Sequence, residues 1–391
     1  AIIDQMSLEE KVALCSGADS WYTKAFEKYG IPAIMMTDGP HGLRKEALDR
    51  AIEFGNNIPA TCFPPACATA CSWDRDLLRE MGEAMAEEAL QEGVSIILGP
   101  GVNIKRNPLC GRNFEYFSED PYLAGELAEN IINGTQSKGV GVSLKHYAAN
   151  SQETWRQSSD SLIDERTLRE IYLPAFEKAV KGGKPTTVMC AYNRLNGVYC
   201  SDHVYLLREI LRDEWGFDGV VVSDWGAIND RIEGFKAGMD LEMPYSVGFF
   251  DQAVAEAVKS GALPVERLDE SVNRLLDLIF TGHNNRQAVL LTAADFRYDV
   301  AAHRRLARKI AASSAVLLKN EDHLLPLRKE QSIALIGALV KEPRYQGAGS
   351  SFVTPTRLTS AIDGFEAGGL QYTYSPGYEL INPTGEAMIQ E

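Results

Sequence analysis

Short apolar segments recur along this chain, and each ends in polar, Gly or Pro residues before an amphipathic helical pattern begins. The six apolar segments are residues 33–36, 95–98, 140–144, 187–191, 219–223 and 239–241. Alternation of strand and helix over more than half of a chain is typical of a (β/α)8 barrel or of a doubly wound sheet. The sequence has neither the GxGxxG nor the GxxxxGK(S/T) motif of nucleotide-binding folds. We therefore predict an α/β fold built on a (β/α)8 TIM-type barrel.

The repeat of strand and helix ends at Gly282, which suggests a domain boundary. Residues 283–301 open with a polar run and do not continue the repeat, so we predict an interdomain linker there. Residues 302–391 then contain a helix, a buried-type strand and a Gly/Ser-rich turn, which together are small for an independent core. The predicted organisation is a catalytic barrel over 1–282, the linker, and the start of a second, incomplete α/β domain over 302–391.

Composition and charge narrow the classes of partner. The chain of 391 residues is 45% hydrophobic and 24% charged, as in ordinary globular proteins. Its formal net charge of −15 and the absence of a basic stripe oppose nucleic-acid binding. No apolar run in the sequence reaches the roughly 18 residues that a membrane helix needs. We expect neither a nucleic-acid nor a membrane partner.

Seven cysteines are scattered along the chain, without a CxxC pair or a Cys/His cluster of metal-binding spacing. We predict mostly reduced packing residues, although a disulfide from Cys62 or Cys67 to Cys110 stays open. The first residues carry no cationic, apolar signal segment. We therefore predict a cytoplasmic protein, and a signal segment removed by processing stays open as the alternative. We expect no metal or other cofactor, because the sequence has no cluster of metal-ligating residues.

The segment 219–226 places a carboxylate, Asp224, directly after a run of β-branched residues that suits a strand buried on both faces. Ligands of parallel-sheet proteins bind at the carboxyl ends of the strands. Asp224 is therefore a candidate nucleophile. The alternative is that it caps the helix after Gly226.

If the six strand ends meet on one face, polar and aromatic side chains converge there. The pocket would contain Asp38, Arg112, Lys145, His146, Arg156, Tyr192, Asp224 and Trp225. Carboxylates accept hydrogen bonds from sugar hydroxyls, cationic side chains donate to them, and an indole offers a flat face to sugar C–H bonds. Structural alternatives stay open at this point, since Asp38 could shape a turn, Arg112 could pair with Glu115 or Glu119, and Lys145 could be solvated. Arg156, Tyr192 and Trp225, taken one by one, are better explained as ordinary surface or core residues.

Six motifs, in this order along the chain, resemble glycoside hydrolase family 3, the β-glucosidase-like enzymes. They are TDGPHGLR at 37–44, LGPGVNI at 98–104, NPLCGRNFE at 107–115, SEDP at 118–121, KHY at 145–147 and VSDWG at 222–226. The stretch 302–327, with SAVLLKNE at 314–321, resembles the entry to that family's second domain, an α/β sandwich. The resemblance spans most of the chain.

The resemblance implies that Asp224 is the nucleophile of a retaining β-glycosidase, which forms a covalent glycosyl-enzyme on terminal nonreducing sugars. The implied substrate is an oligosaccharide or an aryl or alkyl β-glycoside. The residues that would bind it are Asp38, Arg112, Lys145, His146, Arg156, Met189, Tyr192, Trp225 and, from the second domain, Ser350. By itself Met189 is more often a core residue than part of a pocket.

The resemblance also implies an acid/base Glu on a loop of the second domain, downstream of this chain. The glutamates near its end are candidates by residue type only: Glu366, Glu379, Glu386 and Glu391. A subgroup that acts on N-acetylglucosaminides uses a His/Asp dyad in a Gly-rich loop after the Lys-His motif. Residues 148–152 lack that loop, which disfavours this subgroup.

Two other functions remain open from the sequence. One is a noncatalytic, sugar-binding chain that lacks its proton donor. The other is a lyase or aldolase barrel in which Lys145 forms a Schiff base, which requires a desolvated amine. A homo-oligomer is also left open.

Overall fold

The protein is described by a computed structural model that covers residues 2–47, 57–292 and 295–377. The strands, β1 to β12 in chain order, are Met36–Asp38, Pro59–Ala60, Ile96–Leu98, Gly141–Tyr147, Asp160–Ser161, Thr187–Cys190, Arg194–Leu195, Val198–Tyr199, Val220–Ser223, Ile333–Ile336, Thr354–Pro355 and Tyr372–Ser375. The α-helices, α1 to α11, are Leu8–Leu14, Ala66–Thr69, Arg75–Gln91, Pro121–Ser137, Glu165–Thr167, Pro174–Lys178, Arg231–Ala237, Asp251–Ser260, Val265–Thr292, Val300–Ser313 and Ala361–Gly368. Stretches of π-helix cover Leu168–Tyr172, Ala179–Gly183 and Tyr205–Glu214.

Five parallel strands form the central sheet, in the order β1-β3-β4-β6-β9. The predicted segment 239–241 joins them, because Leu241 pairs in parallel with Val222 of β9. All six segments predicted from the sequence therefore lie side by side in chain order. The residues of β9 are buried on both faces, as their β-branched run predicts.

The sheet closes into a ring through an antiparallel hairpin near the N-terminus. Glu242 pairs in parallel with Ser16, Gly17 pairs antiparallel with Thr23, and Tyr22 pairs antiparallel with Met35, next to β1. This confirms the TIM-type α/β fold. It also differs from an ideal (β/α)8 barrel, because within the described residues the hairpin completes the ring where two further parallel strands were expected.

Helices α3 and α4 cover one side of the ring and lie in close contact. Asp74 caps α3 by accepting from the Leu77 amide, and Asp120 caps α4 just before Pro121. Gly134 permits the close approach of the two helices, since a Cβ atom at this position would lie 2.2 Å from the Arg79 carbonyl oxygen of α3. The helix pair is therefore packed backbone against backbone.

The predicted linker, 283–301, is partly helical. Helix α9 continues to Thr292, and α10 begins at Val300. Beyond Gly282 the helix stays against the barrel, because the Asn285 side-chain amide donates to the Gly139 carbonyl at 3.1 Å and Val289 is partly buried against the core. The polar run therefore does not mark the end of the helix. The domain boundaries themselves stay a prediction.

The part of the chain after α10 forms a small parallel pair, β10 with β12, beside helix α11. It contacts the barrel where β11 pairs in parallel with β2. The side-chain amide of Asn57 also donates to the Phe352 carbonyl at 3.3 Å. These contacts place the loop 346–353 against the carboxyl end of the ring.

All seven cysteines are free, so the disulfides considered for Cys62, Cys67 and Cys110 are not formed. Cys71 is exposed, whereas Cys15, Cys110, Cys190 and Cys200 are buried. Among the described helices, none combines the length and the apolar character that a membrane span needs.

His303 joins α10 to the barrel helix α3 through both of its ring nitrogens. Nδ1 lies 2.7 Å from Glu88 Oε1, and Nε2 lies 3.2 Å from Glu87 Oε2. Tyr298 stacks on the ring at 4.8 Å, and Lys138 pairs with Glu87 on its far side. Burial acts to lower the pKa of His303, but the hydrogen bonds and charges of the two carboxylates outweigh it and raise that pKa above its ordinary value. Only an imidazolium donates from both nitrogens.

We expect the contribution of His303 to stability to be fully present below its unfolded pKa of about 6.5 and to disappear as the pH rises through the higher folded-state pKa. His303→Gln should therefore lower the free energy of unfolding by about 2 kcal/mol at pH 6 and by much less at pH 9. Urea denaturation at both pH values measures this. The matched control is Lys309→Met, because Lys309 joins the same two helices through an exposed pair with Glu80 at 2.8 Å. It should change stability little at either pH. An equal effect of His303→Gln at both pH values would contradict the prediction.

Candidate active site

Asp224 lies immediately after β9, at the carboxyl end of the ring. Ser223 fixes that end, since its hydroxyl donates to the Met243 carbonyl at 3.0 Å and accepts from the Met243 amide at 2.8 Å. Oxygen Oδ1 of Asp224 accepts from the Trp225 amide at 2.7 Å. Oxygen Oδ2 is buried and makes no hydrogen bond of standard geometry with any described residue. The next helix, α7, is capped by Asp230, so Asp224 is not a helix cap.

His146 faces this carboxylate, with Nε2 at 3.7 Å from Asp224 Oδ2. Its backbone is held by Asn103, whose amide side chain makes two 2.8 Å hydrogen bonds to the His146 N–H and carbonyl. Nδ1 lies 3.0 Å from the Tyr116 hydroxyl. Burial, together with the positive charges of Arg112 and Lys145, holds the pKa of His146 well below its ordinary value. The His146 ring is therefore neutral and carries one N–H. When Tyr116 donates to Nδ1, this N–H is on Nε2 and faces Asp224.

Glu115 is the centre of a buried charge cluster beside His146. Arg112 donates to both of its oxygens, at 2.9 and 3.1 Å, and Lys145 Nζ lies 3.1 Å from Oε1. Burial acts to raise the pKa of Glu115, but the charges of Arg112 and Lys145 outweigh it and hold the pKa well below its usual range. One carboxylate therefore orients two cations, and the cluster keeps a net positive charge toward the pocket.

Asp38 ends strand β1 and is 7% exposed. Its Oδ2 accepts from Arg44 Nη1 at 2.9 Å, whereas the contact of its Oδ1 with the Lys145 ammonium is longer, at 4.0 Å. The second oxygen is thus placed to accept a hydrogen bond from a ligand hydroxyl. Burial raises the pKa of Asp38 to about 6 against the opposing charges of Lys145 and Arg44.

Aromatic side chains form a wall next to Asp224. The Trp225 ring lies 5.7 Å from that of Trp21, and its indole N–H donates to the Ser20 carbonyl at 2.8 Å. The Tyr192 hydroxyl donates to the Trp225 carbonyl at 2.8 Å, and the Arg156 guanidinium lies 4.4 Å from the centre of the Tyr192 ring. Burial and the nearby charge of Asp224 hold the pKa of Tyr192 well above its ordinary value, so it stays a donor. Such a wall suits the C–H face of a sugar.

Two adjoining groups contain eight of the ten predicted site residues. Asp38, Lys145 and Arg112 are joined through Glu115 and Lys145. His146, Asp224, Trp225, Tyr192 and Arg156 contact one another in that order, and the groups adjoin at the consecutive residues Lys145 and His146. Met189 and Ser350 are the other two. Met189 is buried in β6, where it pairs with Val222 of β9. Ser350 lies in a short turn of the loop 346–353 and makes no hydrogen bond to the other nine within the described ranges. Their roles in the site stay predictions.

The loop that carries Ser350 packs against the motif 107–115. A Cβ atom at Gly347 would lie 2.4 Å from the Phe114 ring, so a side chain at this position would force that ring to move. The Gln346 side chain spans the loop, accepting from the Val353 amide at 2.9 Å and donating to its carbonyl at 2.7 Å. Ser350 is therefore held beside the loop that contains Arg112.

The candidates for the acid/base remain unsupported by geometry. Glu366 is exposed on α11, where it accepts a hydrogen bond from the Tyr372 hydroxyl at 3.0 Å. Glu379, Glu386 and Glu391 lie outside the described residues.

Several residues of the cluster were not among the sequence candidates. Glu115 was considered only as a structural partner of Arg112, whereas it orients both cations. Arg44 lies in the motif 37–44. The sequence feature that could have identified it is the pair Gly39 and Gly42, which turns the chain so that Arg44 returns to Asp38. The Arg44 amide donates to the Asp38 carbonyl at 2.9 Å across that turn. Trp21 gave no such signal, because the hairpin that carries it follows no strand–helix repeat.

Comparison with known proteins agrees with this geometry. The family model described as "Glycosyl hydrolase family 3 N terminal domain" matches residues 2–278, and "Glycosyl hydrolase family 3 C-terminal domain" matches residues 315–373. Thermostable beta-glucosidase B from Acetivibrio thermocellus is 58% identical, over 100% of this chain and 52% of the relative. Exo-alpha-(1->6)-L-arabinopyranosidase from Bifidobacterium longum is 48% identical, over 100% of this chain and 52% of the relative.

A solved structure shows the same fold. The crystal structure of the Bifidobacterium adolescentis GH3 beta-glucosidase matches with a TM-score of 0.90 and 48% identity, over 97% of this chain and 53% of that one. The chain spans about half the length of the relatives it matches. With matches of this extent and identity, the chain belongs to glycosyl hydrolase family 3.

Proposed function

We propose that the protein containing this chain is a retaining β-glycosidase of the β-glucosidase type, with Asp224 as its nucleophile. The observation that carries the proposal is the buried Oδ2 of Asp224 at the carboxyl end of β9, which accepts no hydrogen bond of standard geometry from any described residue. Its substrates are oligosaccharides or aryl or alkyl β-glycosides with a terminal nonreducing sugar. A reducing compartment such as the cytoplasm is proposed as well, supported by the seven free cysteines.

The chemistry begins with binding of the terminal sugar. Asp38 accepts from sugar hydroxyls, Arg112 and Lys145 donate to others, and Trp225 covers the C–H face. Arg156 and Tyr192 complete the polar rim, with Met189 and Ser350 as further wall residues.

Asp224 Oδ2 then attacks the anomeric carbon as the bond to the leaving oxygen breaks, and a second carboxylic acid protonates that oxygen. A water molecule, deprotonated by the same acid/base group, cleaves the glycosyl ester and frees Asp224. His146 stays neutral and faces Oδ2, so it supports the carboxylate without pairing its charge. We propose that the acid/base Glu belongs to the part of the relatives' length that this chain does not span.

The Schiff-base alternative is disfavoured by the contacts of Lys145. Its ammonium lies 3.1 Å from Glu115 and 4.0 Å from Asp38. A Schiff-base lysine needs its amine free to attack a carbonyl carbon, whereas the Lys145 nitrogen is engaged by these two buried carboxylates. The noncatalytic alternative needs an experiment.

Intact mass spectrometry after incubation with 2,4-dinitrophenyl 2-deoxy-2-fluoro-β-glucoside tests the proposal. Dinitrophenolate leaves without a proton, so Asp224 alone suffices to form the adduct. We expect one fluoroglycosyl adduct on the parent protein and none on Asp224→Ala. Because one relative is named an arabinopyranosidase, 4-nitrophenyl α-L-arabinopyranoside is assayed beside the β-glucoside. A folded parent protein that forms no adduct and cleaves neither glycoside would overturn the proposal in favour of a binding-only chain.

Asp38 should make sugar binding depend on pH. With a pKa of about 6, Asp38 is mostly charged at pH 7 and mostly protonated at pH 5, where it loses its strength as an acceptor. We expect the affinity for glucose, measured as competitive inhibition, to fall about tenfold between pH 7 and pH 5. The Asp38→Asn variant should bind weakly at both pH values, without this slope. An unchanged affinity of the parent protein would contradict the assignment of Asp38.

A further inference from the structure

Glu46 is a buried carboxylate that lies two residues after Arg44 and is 5% exposed. Its backbone pairs antiparallel with Asn57, which fixes it beside the turn that follows β1. Its side chain meets two N–H donors. Oε2 accepts from the Trp21 indole at 3.2 Å, and Oε1 accepts from Arg44 Nη2 at 3.4 Å.

Each donor contacts a different part of the sugar pocket. Arg44 uses Nη1 to hold Asp38 at 2.9 Å, on the side where hydroxyls are bound. The Trp21 ring packs against Trp225 with a centroid distance of 5.7 Å and a tilt of 40°. Arg44 also lies 5.9 Å from the centre of the Trp21 ring. Among the described residues no hydrogen bond joins the Glu46 side chain to Asp38 or Trp225, yet this one carboxylate binds the neighbours of both.

We propose that Glu46 is a positioning residue that sets the spacing between Asp38 and the Trp21–Trp225 wall. This inference rests on the proposed function, because the spacing matters only if Asp38 and the aromatic wall bind the same sugar ring, one at its hydroxyls and the other at its C–H face. A charged carboxylate suits the task, since its two oxygens receive two donors at once. An amide at this position would turn an N–H group toward one of the donors and release either Arg44 or Trp21.

The test uses Glu46→Gln in the protein expressed from its complete gene, with 4-nitrophenyl β-glucoside and its monodeoxy analogues as substrates. We expect kcat/KM for the parent glycoside to fall about 10- to 100-fold. One deoxy analogue should lack the hydroxyl that Asp38 binds, and it is identified as the substrate whose kcat/KM changes least in Asp38→Asn. For this analogue, Glu46→Gln should lower kcat/KM by less than about threefold. If Glu46→Gln only loosened the fold, kcat/KM would fall by the same factor for all these substrates, and that result would overturn the inference.

A second pair of variants keeps the test valid if Glu46→Gln does not fold. Trp21→Phe keeps an aromatic ring but removes the donor to Glu46. If Glu46 couples the two sides of the pocket, the effects of Trp21→Phe and Asp38→Asn are non-additive by at least about threefold in kcat/KM. Strict additivity would count against the coupling.

The matched control is Glu88→Gln, which alters another buried glutamate of the barrel that contacts Thr61 and His303 and lies outside the pocket cluster. It should lower the unfolding temperature and leave kcat/KM at 25 °C unchanged. If the parent protein cleaves no glycoside, the proposed function fails. If it does, and Glu46→Gln slows every substrate equally, only the positioning role fails.

Discussion

Replacing Asp224 by Ala should lower kcat/KM for 4-nitrophenyl β-glucoside by about 10⁴-fold or more, the largest effect of any single substitution in this chain. The reason is that neither of two nearby groups can replace Oδ2, since His146 is neutral and Asp38 is held by Arg44 on one oxygen. Steady-state kinetics with a folded variant, checked by circular dichroism, measures the loss.

Azide provides a sharper form of this prediction. A small anion that fills the space left by the Asp224 carboxyl group can attack the anomeric carbon from the same side, which yields a glycosyl azide of inverted configuration. We expect azide to restore part of the activity of Asp224→Ala toward 2,4-dinitrophenyl β-glucoside.

Asp218→Asn is the matched control, since Asp218 is exposed and precedes the opposite end of the same strand, β9. It should leave the rate unchanged. Full activity of Asp224→Ala without azide would assign the nucleophile elsewhere.

Glu115→Gln should have the largest effect on stability. It removes the negative charge that pairs with both Arg112 and Lys145, and the Glu115 and Lys145 side chains are only 1% and 2% exposed. Leaving buried charges without their partner costs about 3–5 kcal/mol in the free energy of unfolding. We expect urea denaturation to show a loss of this size, together with loss of glucose binding at temperatures where the variant is folded.

The exposed pair between Arg166 and Glu170 supplies the comparison for Glu115. The two side chains are 83% and 59% exposed, at a distance of 3.1 Å. Glu170→Gln should change the free energy of unfolding by no more than about 0.5 kcal/mol. If Glu115→Gln cost as little as this control, the cluster would not be the charge-paired centre that the distances indicate.

The sequence predicted the ring better than its closure. Each apolar segment, such as 219–223, carries its own local signal, because a strand buried on both faces must be apolar throughout. The hairpin at 17–23 has no such run, and its place in the ring depends on Met35 and Glu242, which are distant in sequence. Its pairing is set by tertiary contacts that no local pattern encodes.

The same distinction holds for the candidate site. Asp224 was predicted because it follows a strand directly, and Asp38 because it ends another. Glu46 has neither signal, and its place depends on the turn after β1 and on the approach of Trp21 from the hairpin. A carboxylate that acts through its neighbours resembles any surface glutamate until the fold is known.

The closure between Ser16 and Glu242 also bears on how the protein folds. These two residues come from opposite ends of the barrel sequence, and a ribosome exposes the first long before the second. Bringing such distant segments together costs loop entropy before any contact repays it, so this pairing forms late. The hairpin that closes the ring is also the one that brings Trp21 against Trp225. The aromatic wall of the proposed sugar site is therefore completed at the end of folding, and a nascent chain that has not reached Glu242 lacks it.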